Sequence, residues 1–237
     1  MGRTVQKRLA RKLDLEMLLS RVKPHPAPSP DLEQYTVSAD TAATMLYIAA
    51  YAHDDIVGKE VLDLGCGTGR LAIGAAFLGA KQAVGVDVDR NAVKTAHQNA
   101  VETGFIDKTQ WVTADIDVVQ GKFDTVIQNP PFGVQKRGAD RKFLDKALAS
   151  ADTVYSLHKS IHDDKRLIGK LKSTGNNGLA VSPSAFMERY IEEGGGRIET
   201  VYALVMTVPY MFDFHTKKKH EFIVDLYVIS KQPPSKV

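Results

Sequence analysis

The sequence predicts an α/β fold in which helices cover both faces of a mostly parallel sheet. Short apolar segments alternate with helical segments between residues 60 and 157, a pattern that favours parallel strands joined by right-handed crossover helices. After residue 196 two long apolar segments follow each other without a helix between them, which predicts a C-terminal antiparallel hairpin. Five parallel strands and this hairpin make a Rossmann-like, seven-stranded sheet.

The predicted strands are short apolar segments, and they cover residues 60–64, 83–87, 110–113, 123–128, 153–157, 198–208 and 222–229. The predicted helices have helical apolar spacing or recognisable end signals, and they cover residues 7–22, 38–53, 70–78, 89–103, 142–150 and 183–193. Residues 158–182 are polar and predict no single element.

The composition is typical of a globular cytoplasmic protein. A chain of 237 residues can bury a full core without covalent staples. The single cysteine, Cys66, excludes a disulfide framework, and no Cys/His spacing predicts a zinc site, so we expect no metal. No apolar segment approaches membrane-spanning length, and we expect no contact with a membrane.

The N-terminal region, residues 1–30, is predicted to be a basic helix and a proline-rich connector that precede the main domain, residues 31–237. Residues 1–23 contain seven basic and two acidic residues, an excess of five positive charges. Leu9, Leu13, Met17 (or Leu18) and Val22 recur at helical spacing and are predicted to form the buried face. The positive charge indicates either an anionic partner such as nucleic acid or a solvated helix face.

A glycine-rich loop follows the first predicted strand, with Asp63 on the strand and Gly65, Gly67 and Gly69 after it. Glycines between a strand and a helix let the backbone approach a ligand closely. The spacing differs from that of a dinucleotide-binding loop, whose third glycine lies three residues after the second. A pyrophosphate would be repelled by Asp63, whereas a ligand with an ammonium group would not.

Two more acids end neighbouring strands of the predicted sheet. Asp87 is placed to accept hydrogen bonds from ribose hydroxyls. Asp115 could accept from an exocyclic amine or cap its own loop. Since ligands bind at the carboxyl edge of such sheets, these acids predict a nucleoside with a cationic amino-acid tail, which is S-adenosylmethionine.

The fourth strand ends at Asn129, Pro130, Pro131 and Phe132, because two prolines cannot donate to a sheet. The Asn129 amide oxygen and the Pro130 carbonyl can each accept one N–H of a planar amine such as adenine N6, which aims its lone pair at a methyl group. Phe132 offers a face for stacking the base. An ordinary Asn-Pro turn is the alternative.

These motifs resemble a methyltransferase-like family that makes N6-methyladenosine in small-subunit ribosomal RNA. The resemblance covers most of residues 32–229. It rests on Leu32-Glu33-Gln34-Tyr35, Asp63-Leu64-Gly65-Cys66-Gly67, Phe123-Asp124-Thr125-Val126-Ile127, Asn129-Pro130-Pro131-Phe132-Gly133, Val154-Tyr155-Ser156-Leu157-His158-Lys159, and Phe214-His215 with Lys217-Lys218-Lys219.

The resemblance implies a role for each matching residue. Gln34 would close over the donor, with Gly65 and Thr68 lining its methionine part. Asp87 would hold the ribose and Asp115 the adenine end. The turn from Asn129 to Phe132 would hold the target adenine.

The resemblance also implies partners. Lys217, Lys218 and Lys219 would contact RNA phosphates, although a solvated turn is the alternative. Eukaryotic members pair with a small zinc-binding activator protein that covers an exposed sheet edge. The sequence departs from the family at Thr36 and Val37, where many members have Pro-Thr.

Three alternatives stay open at this point. The same chemistry could act on a protein glutamine amide or on DNA adenine, and the chain could be a non-catalytic RNA-binding module with a vestigial donor pocket. His158 and His162 lie four residues apart and could pair on a helix as metal ligands, but no third ligand is evident.

Overall fold

A computed structural model describes residues 10–29, 36–133, 138–162, 164–209 and 219–232. The strands in chain order are β1 (Glu60–Leu64), β2 (Gln82–Asp87), β3 (Thr109–Thr113), β4 (Phe123–Gln128), β5 (Ala151–Lys159), β6 (Leu179–Ala180), β7 (Gly196–Pro209) and β8 (Lys219–Lys231). The α-helices are α1 (Lys12–Ser20), α2 (Ala39–Tyr47), α3 (Arg70–Phe77), α4 (Arg90–Thr103), α5 (Ala139–Ser150), α6 (Lys165–Ser173) and α7 (Ala185–Glu193). A π-helical turn, Ile48–Ala52, continues α2.

The described strands form one sheet in the order β3-β2-β1-β4-β5-β8-β7-β6. β1 to β5 are parallel, and β8, β7 and β6 are antiparallel to their neighbours. The predicted mostly parallel sheet with a C-terminal hairpin is therefore confirmed. Sequence analysis missed β6 because two residues carry no periodic pattern, and it missed α6 in the polar region it left unassigned.

Alternating residues of the central strands bury the two faces of the sheet. Val61, Ile127 and Tyr155 share one hydrophobic cluster with residues of α1, α2 and α3. Leu62 and Val126 share a second cluster with residues of α5 and α7 on the opposite face. This layer structure leaves the ends of the strands to build a site.

The buried face of α1 differs from the predicted one. Leu15 and Leu19 are fully buried, whereas Leu13 and Met17 are 56% and 52% exposed. Val22 is buried as predicted, and Leu9 lies outside the described residues. Leu18, the alternative to Met17 in the predicted face, is partly buried. Gly74 of α3 leaves room for the leucines packed on it, because a Cβ there would lie 2.4 Å from Leu46 of α2 and 3.3 Å from Leu19 of α1. The helix therefore packs into the core.

Candidate active site

The register of three adjacent strands brings the predicted site residues to one edge. Leu64 of β1 pairs with Val86 of β2 on one side and with Gln128 of β4 on the other. Gly65, Asp87 and Asn129 are the next residues of these three strands. The glycine loop, Asp87 and the proline turn are therefore neighbours at the carboxyl edge of the sheet.

Backbone hydrogen bonds fix the glycine loop. The N–H groups of Gly65 and Cys66 both donate to the Val86 carbonyl, at 2.8 and 3.0 Å. Gly69 has a φ of +85°, and a Cβ there would lie 2.4 Å from the Trp111 ring, so only glycine fits. Gly67 has a φ of +52°, but a Cβ would meet nothing within 4 Å. The loop is thus packed from below and open at Gly67, where a ligand can approach.

Asp63 lies under this loop with its carboxylate buried. One carboxylate oxygen, Oδ2, accepts a hydrogen bond from the Ala72 N–H at 3.0 Å. The other oxygen, Oδ1, has no hydrogen-bond partner among the described residues. Burial, and to a smaller extent the nearby Asp87, raises the pKa of Asp63 to about 8. A cationic group would complement this carboxylate, which fits the ammonium-bearing donor that the sequence predicts.

Asp87 is half-buried beside the loop. Its two oxygens accept hydrogen bonds from the Gly67 N–H at 2.8 Å and the Asp89 N–H at 2.9 Å. Burial raises the pKa of this carboxyl, while the two backbone hydrogen bonds oppose the shift. Because a carboxylate has about four lone-pair sites, Asp87 keeps the capacity to accept from ribose hydroxyls.

Thr68 and Asp115 occupy different environments. Thr68 is buried, and its hydroxyl has no hydrogen-bond partner among the described residues. Asp115 begins a 3₁₀ turn, accepting from the Asp117 N–H at 3.0 Å, and forms an ion pair with Lys142 at 2.8 Å. The capping role that the sequence left open for Asp115 is therefore present, and its role toward adenine stays a prediction.

The proline turn follows directly from β4. Pro130 is buried, whereas Asn129, Pro131 and Phe132 are partly exposed. The Phe132 ring contacts the Phe222 ring of β8 edge to face, with centroids 6.0 Å apart and planes at 87°. The turn is thus supported by the C-terminal hairpin as well as by its own strand.

A buried polar row stands behind the turn, and sequence analysis missed it. The Gln128 amide donates to the Ser156 hydroxyl at 2.9 Å, and this hydroxyl lies 2.8 Å from Nε2 of His158. Burial lowers the pKa of His158 to about 4, so the ring is neutral near pH 7. The available signal was Gln128, Ser156 and His158, polar residues in the carboxyl-terminal halves of two strands whose centres are apolar.

His158 is therefore a strand residue, and the proposed helical pair with His162 is wrong. His158 lies on β5, which continues to Lys159, so a helical i, i+4 face is absent at this position. Within the described ranges, no group of three His, Cys, Asp or Glu side chains could hold a metal ion.

Several predicted site residues fall outside the described part of the chain. Gln34, Lys217 and Lys218 are among them, and Lys219 is described only as the first residue of β8. Their roles stay predictions. No helix in the described part of the chain is long and apolar enough to span a membrane.

The Rossmann-like sheet, the glycine loop and the strand-end acids define a class I methyltransferase, for which S-adenosylmethionine is the methyl donor. Residues 40–130 match the family model described as ribosomal protein L11 methyltransferase (PrmA). The fold is shared with magnesium protoporphyrin IX methyltransferase of Synechocystis PCC 6803, crystallised with bound S-adenosylmethionine. The TM-score is 0.54 at 18% identity, over 94% of this chain and 99% of that chain.

Relatives that match nearly the whole chain define the family. The rRNA N(6)-adenosine-methyltransferase METTL5 of Danio rerio is 34% identical over 225 residues, which cover 90% of this chain and 95% of the relative. The rRNA N(6)-adenosine-methyltransferase Mettl5 of Drosophila melanogaster is 34% identical over 220 residues, which cover 90% of this chain and 93% of the relative. The crystal structure of a Pyrococcus horikoshii protein, proposed to be an RNA methyltransferase, superposes with a TM-score of 0.78 at 35% identity. The match covers 95% of this chain and 100% of that chain. The chain belongs to the family of rRNA N6-adenosine-methyltransferases.

Proposed function

We propose that this methyltransferase acts in the cytoplasm on an adenosine of small-subunit ribosomal RNA. Membership of the family supports the ribosomal RNA substrate. The motifs shared with the small-subunit enzymes, from residue 32 to the C-terminal hairpin, support the choice of subunit. The observation that carries the chemistry is the register that places Asn129 beside the glycine loop.

The acceptor roles follow from the proline turn. The Asn129 amide oxygen and the Pro130 carbonyl would each accept one N–H of adenine N6. This pair of hydrogen bonds would draw electron density onto nitrogen and aim its lone pair at the methyl group. Phe132, held by Phe222, would stack on the extruded base. No strong base is required before transfer, because the amine loses its proton only after it has become cationic.

The donor roles follow from the carboxyl edge of the sheet. When bound, S-adenosylmethionine supplies an electrophilic methyl group. Asp63, Gly65, Gly67 and Thr68 would surround its methionine part, and the buried Asp63 carboxylate would face its ammonium group. Asp87 would hold the ribose, with Asp115 at the adenine end and Gln34 closing over the donor.

Methylation of defined substrates tests this proposal. Purified protein would be incubated with S-adenosylmethionine carrying an isotope-labelled methyl group and, separately, small-subunit rRNA, large-subunit rRNA or duplex DNA. We expect labelled N6-methyladenosine in the small-subunit RNA, measured by mass spectrometry after digestion. Label confined to large-subunit RNA would overturn the subunit assignment, and label in DNA would favour the alternative substrate. Donor binding without transfer to any substrate would favour the vestigial module.

We also propose that a small zinc-binding activator protein, which the resemblance implies would cover an exposed sheet edge, binds at the β3 edge. β3 is an edge strand, and Val112 on it is 42% exposed, with Val88 after β2 also exposed. A Val112→Asp variant should lose association with a co-expressed activator in size-exclusion chromatography. Phe186→Asp, an exposed apolar site on α7, should associate like the wild type. Equal association of both variants would contradict this use of the edge.

A further inference from the structure

The described residues after α1, 21–29, are called the connector, and hydrogen bonds join this proline-rich segment to the glycine loop. Buried Asn99 of α4 forms two hydrogen bonds with the Lys23 backbone: its Oδ1 accepts from the Lys23 N–H at 3.0 Å, and its Nδ2 donates to the Lys23 carbonyl at 3.1 Å. The same Nδ2 donates to the carbonyl of Thr68 at 3.0 Å. One amide side chain therefore ties the connector to the loop that is proposed to hold the methionine part of the donor.

Arg70 fastens the connector a second time. This largely buried side chain, at the start of α3, donates through Nη2 to the Val22 carbonyl at 3.1 Å and through Nη1 to the Val37 carbonyl. Burial lowers the pKa of Arg70 to about 10, so the side chain is charged near pH 7 and its donors need acceptors. Two segments that precede the main sheet in sequence are thus held against the start of α3.

His25, in the same connector, contacts Asp89, the acid that follows β2. Its ring is buried, and Nδ1 accepts a hydrogen bond from the Ala27 N–H at 3.0 Å. Because an accepting nitrogen carries no proton, the neutral ring holds its proton on Nε2, which lies 3.1 Å from Oδ2 of Asp89. The tautomer is therefore set by the connector's own backbone, and the ring donates to Asp89.

Asp89 transmits this contact to the proposed ribose site. Its other oxygen, Oδ1, accepts from the Asn91 N–H at 2.7 Å at the start of α4, which fixes the carboxylate. Its own backbone N–H donates to Oδ1 of Asp87 at 2.9 Å. A chain of hydrogen bonds thus runs from His25 through Asp89 to the carboxylate proposed to bind ribose.

We propose that His25 is a positioning residue of the methyl-donor site, which orients Asp87 toward the ribose hydroxyls by holding Asp89. This inference rests on the proposed donor site, and it assigns to the N-terminal connector a part in binding a small nucleoside ligand. His25 itself touches no reacting atom.

Two isosteric substitutions separate this role from simple fastening of the connector. In His25→Gln the amide nitrogen can replace Nε2 and keep the bond to Asp89. In His25→Asn the amide oxygen can replace Nδ1 and keep only the bond from Ala27. Calorimetric titration with S-adenosylhomocysteine should give a Kd about tenfold higher for His25→Asn and His25→Ala than for the wild type, and within about threefold for His25→Gln. A tenfold change corresponds to about 1.4 kcal/mol, close to the lower value for a hydrogen bond to a charged carboxylate.

The opposite order, with His25→Asn retaining affinity and His25→Gln losing it, would overturn the inference. A second titration uses S-adenosylhomocysteine that lacks both ribose hydroxyls. The wild type and His25→Ala should bind this analogue equally, and a persistent tenfold difference would also overturn the inference. Absence of S-adenosylhomocysteine binding by the wild type would instead contradict the proposed donor site itself, so the two failures are distinguishable. In turnover assays, His25→Asn should raise the KM for the donor and leave kcat unchanged.

Discussion

The proposed site has a donor half, which would bind the methyl donor, and an acceptor half, the turn from Asn129 to Phe132, which would bind the adenine. Different kinds of contact hold the two halves in place. The donor half, from Asp63 to Asp115, is shaped mainly by backbone hydrogen bonds around the glycine loop, and it lies within the residues that match the L11 methyltransferase family model. The acceptor half adds side chains from β5 and β8, such as Ser156 and Phe222, that lie beyond that match. The proposed donor half therefore lies within the part of the chain that matches the L11 methyltransferase model, whereas the surroundings of Asn129 draw on residues outside it.

The largest expected effect is a difference in stability and donor affinity between two alanine substitutions in the glycine loop. Gly69→Ala should lower the free energy of unfolding by about 3 kcal/mol, because a left-handed alanine costs about 1–2 kcal/mol and its Cβ would overlap the Trp111 ring. Gly67→Ala, with open space around the new Cβ, should cost only about 1–2 kcal/mol but weaken donor binding at least tenfold. Urea unfolding and calorimetric titration would measure both. Equal stability of the two variants would contradict this division of the loop.

The buried polar row should matter to the acceptor half alone. Ser156→Ala removes the hydroxyl between Gln128 and His158, and leaving these groups unpaired should cost about 1–3 kcal/mol of stability. We expect kcat to fall about tenfold with an unchanged Kd for the donor, since Asn129 directly follows Gln128. The control is Thr125→Val on β4, which removes a partly buried hydrogen bond to the Asp55 carbonyl, away from Asn129. A similar fall in kcat for the control would remove the special role of the row.

Asp63 should make the stability of the ligand-free protein depend on pH. Its pKa is raised to about 8 in the fold, so the neutral carboxyl stabilises the ligand-free protein most fully below about pH 4. This contribution is lost as the pH rises toward 8, with a limiting slope of about 1.4 kcal/mol per pH unit. Relative to Asp63→Asn, the wild type should therefore lose stability in urea unfolding between pH 5 and pH 8. Parallel curves for the two proteins would contradict a buried, uncompensated Asp63.

The smallest effect is expected at the aromatic support of the turn. Phe222→Leu keeps an apolar side chain but removes the edge-to-face contact with Phe132, which is worth about 0.5–1.5 kcal/mol. We expect kcat/KM for RNA to fall about fivefold, measured with subsaturating RNA and saturating donor. Phe77→Leu removes a similar contact with Phe105, whose ring centroid is 6.0 Å away, and should leave kcat/KM unchanged. Equal losses in the two variants would assign the effect to general stability.

The sequence predicts the donor half better than the acceptor half, for a physical reason. Glycines with positive φ and acids at strand ends are local requirements, so Gly67 and Asp87 are recognisable without a structure. The contact between Phe132 and Phe222 joins residues 90 positions apart and leaves no local pattern. Buried polar partners such as Ser156 and Asn99 depend on which strands and helices meet. For the same reason the buried face of α1 depends on packing against α2 and α3, which lie further along the chain.

The proposed methyl transfer depends most on Asn129, and one pair of measurements on Asn129→Ala tests this role most directly. Single-turnover methylation of small-subunit rRNA would be compared with calorimetric binding of S-adenosylhomocysteine, for the variant and the wild type. This role predicts that Asn129→Ala methylates the RNA at a rate at least about 10²-fold lower than the wild type, because a group that stabilises the transition state is lost. It also predicts a donor Kd within about twofold of the wild type. An unchanged rate would contradict the proposal that Asn129 binds the amino group of the target adenine. A parallel loss of donor binding would place Asn129 in the donor half.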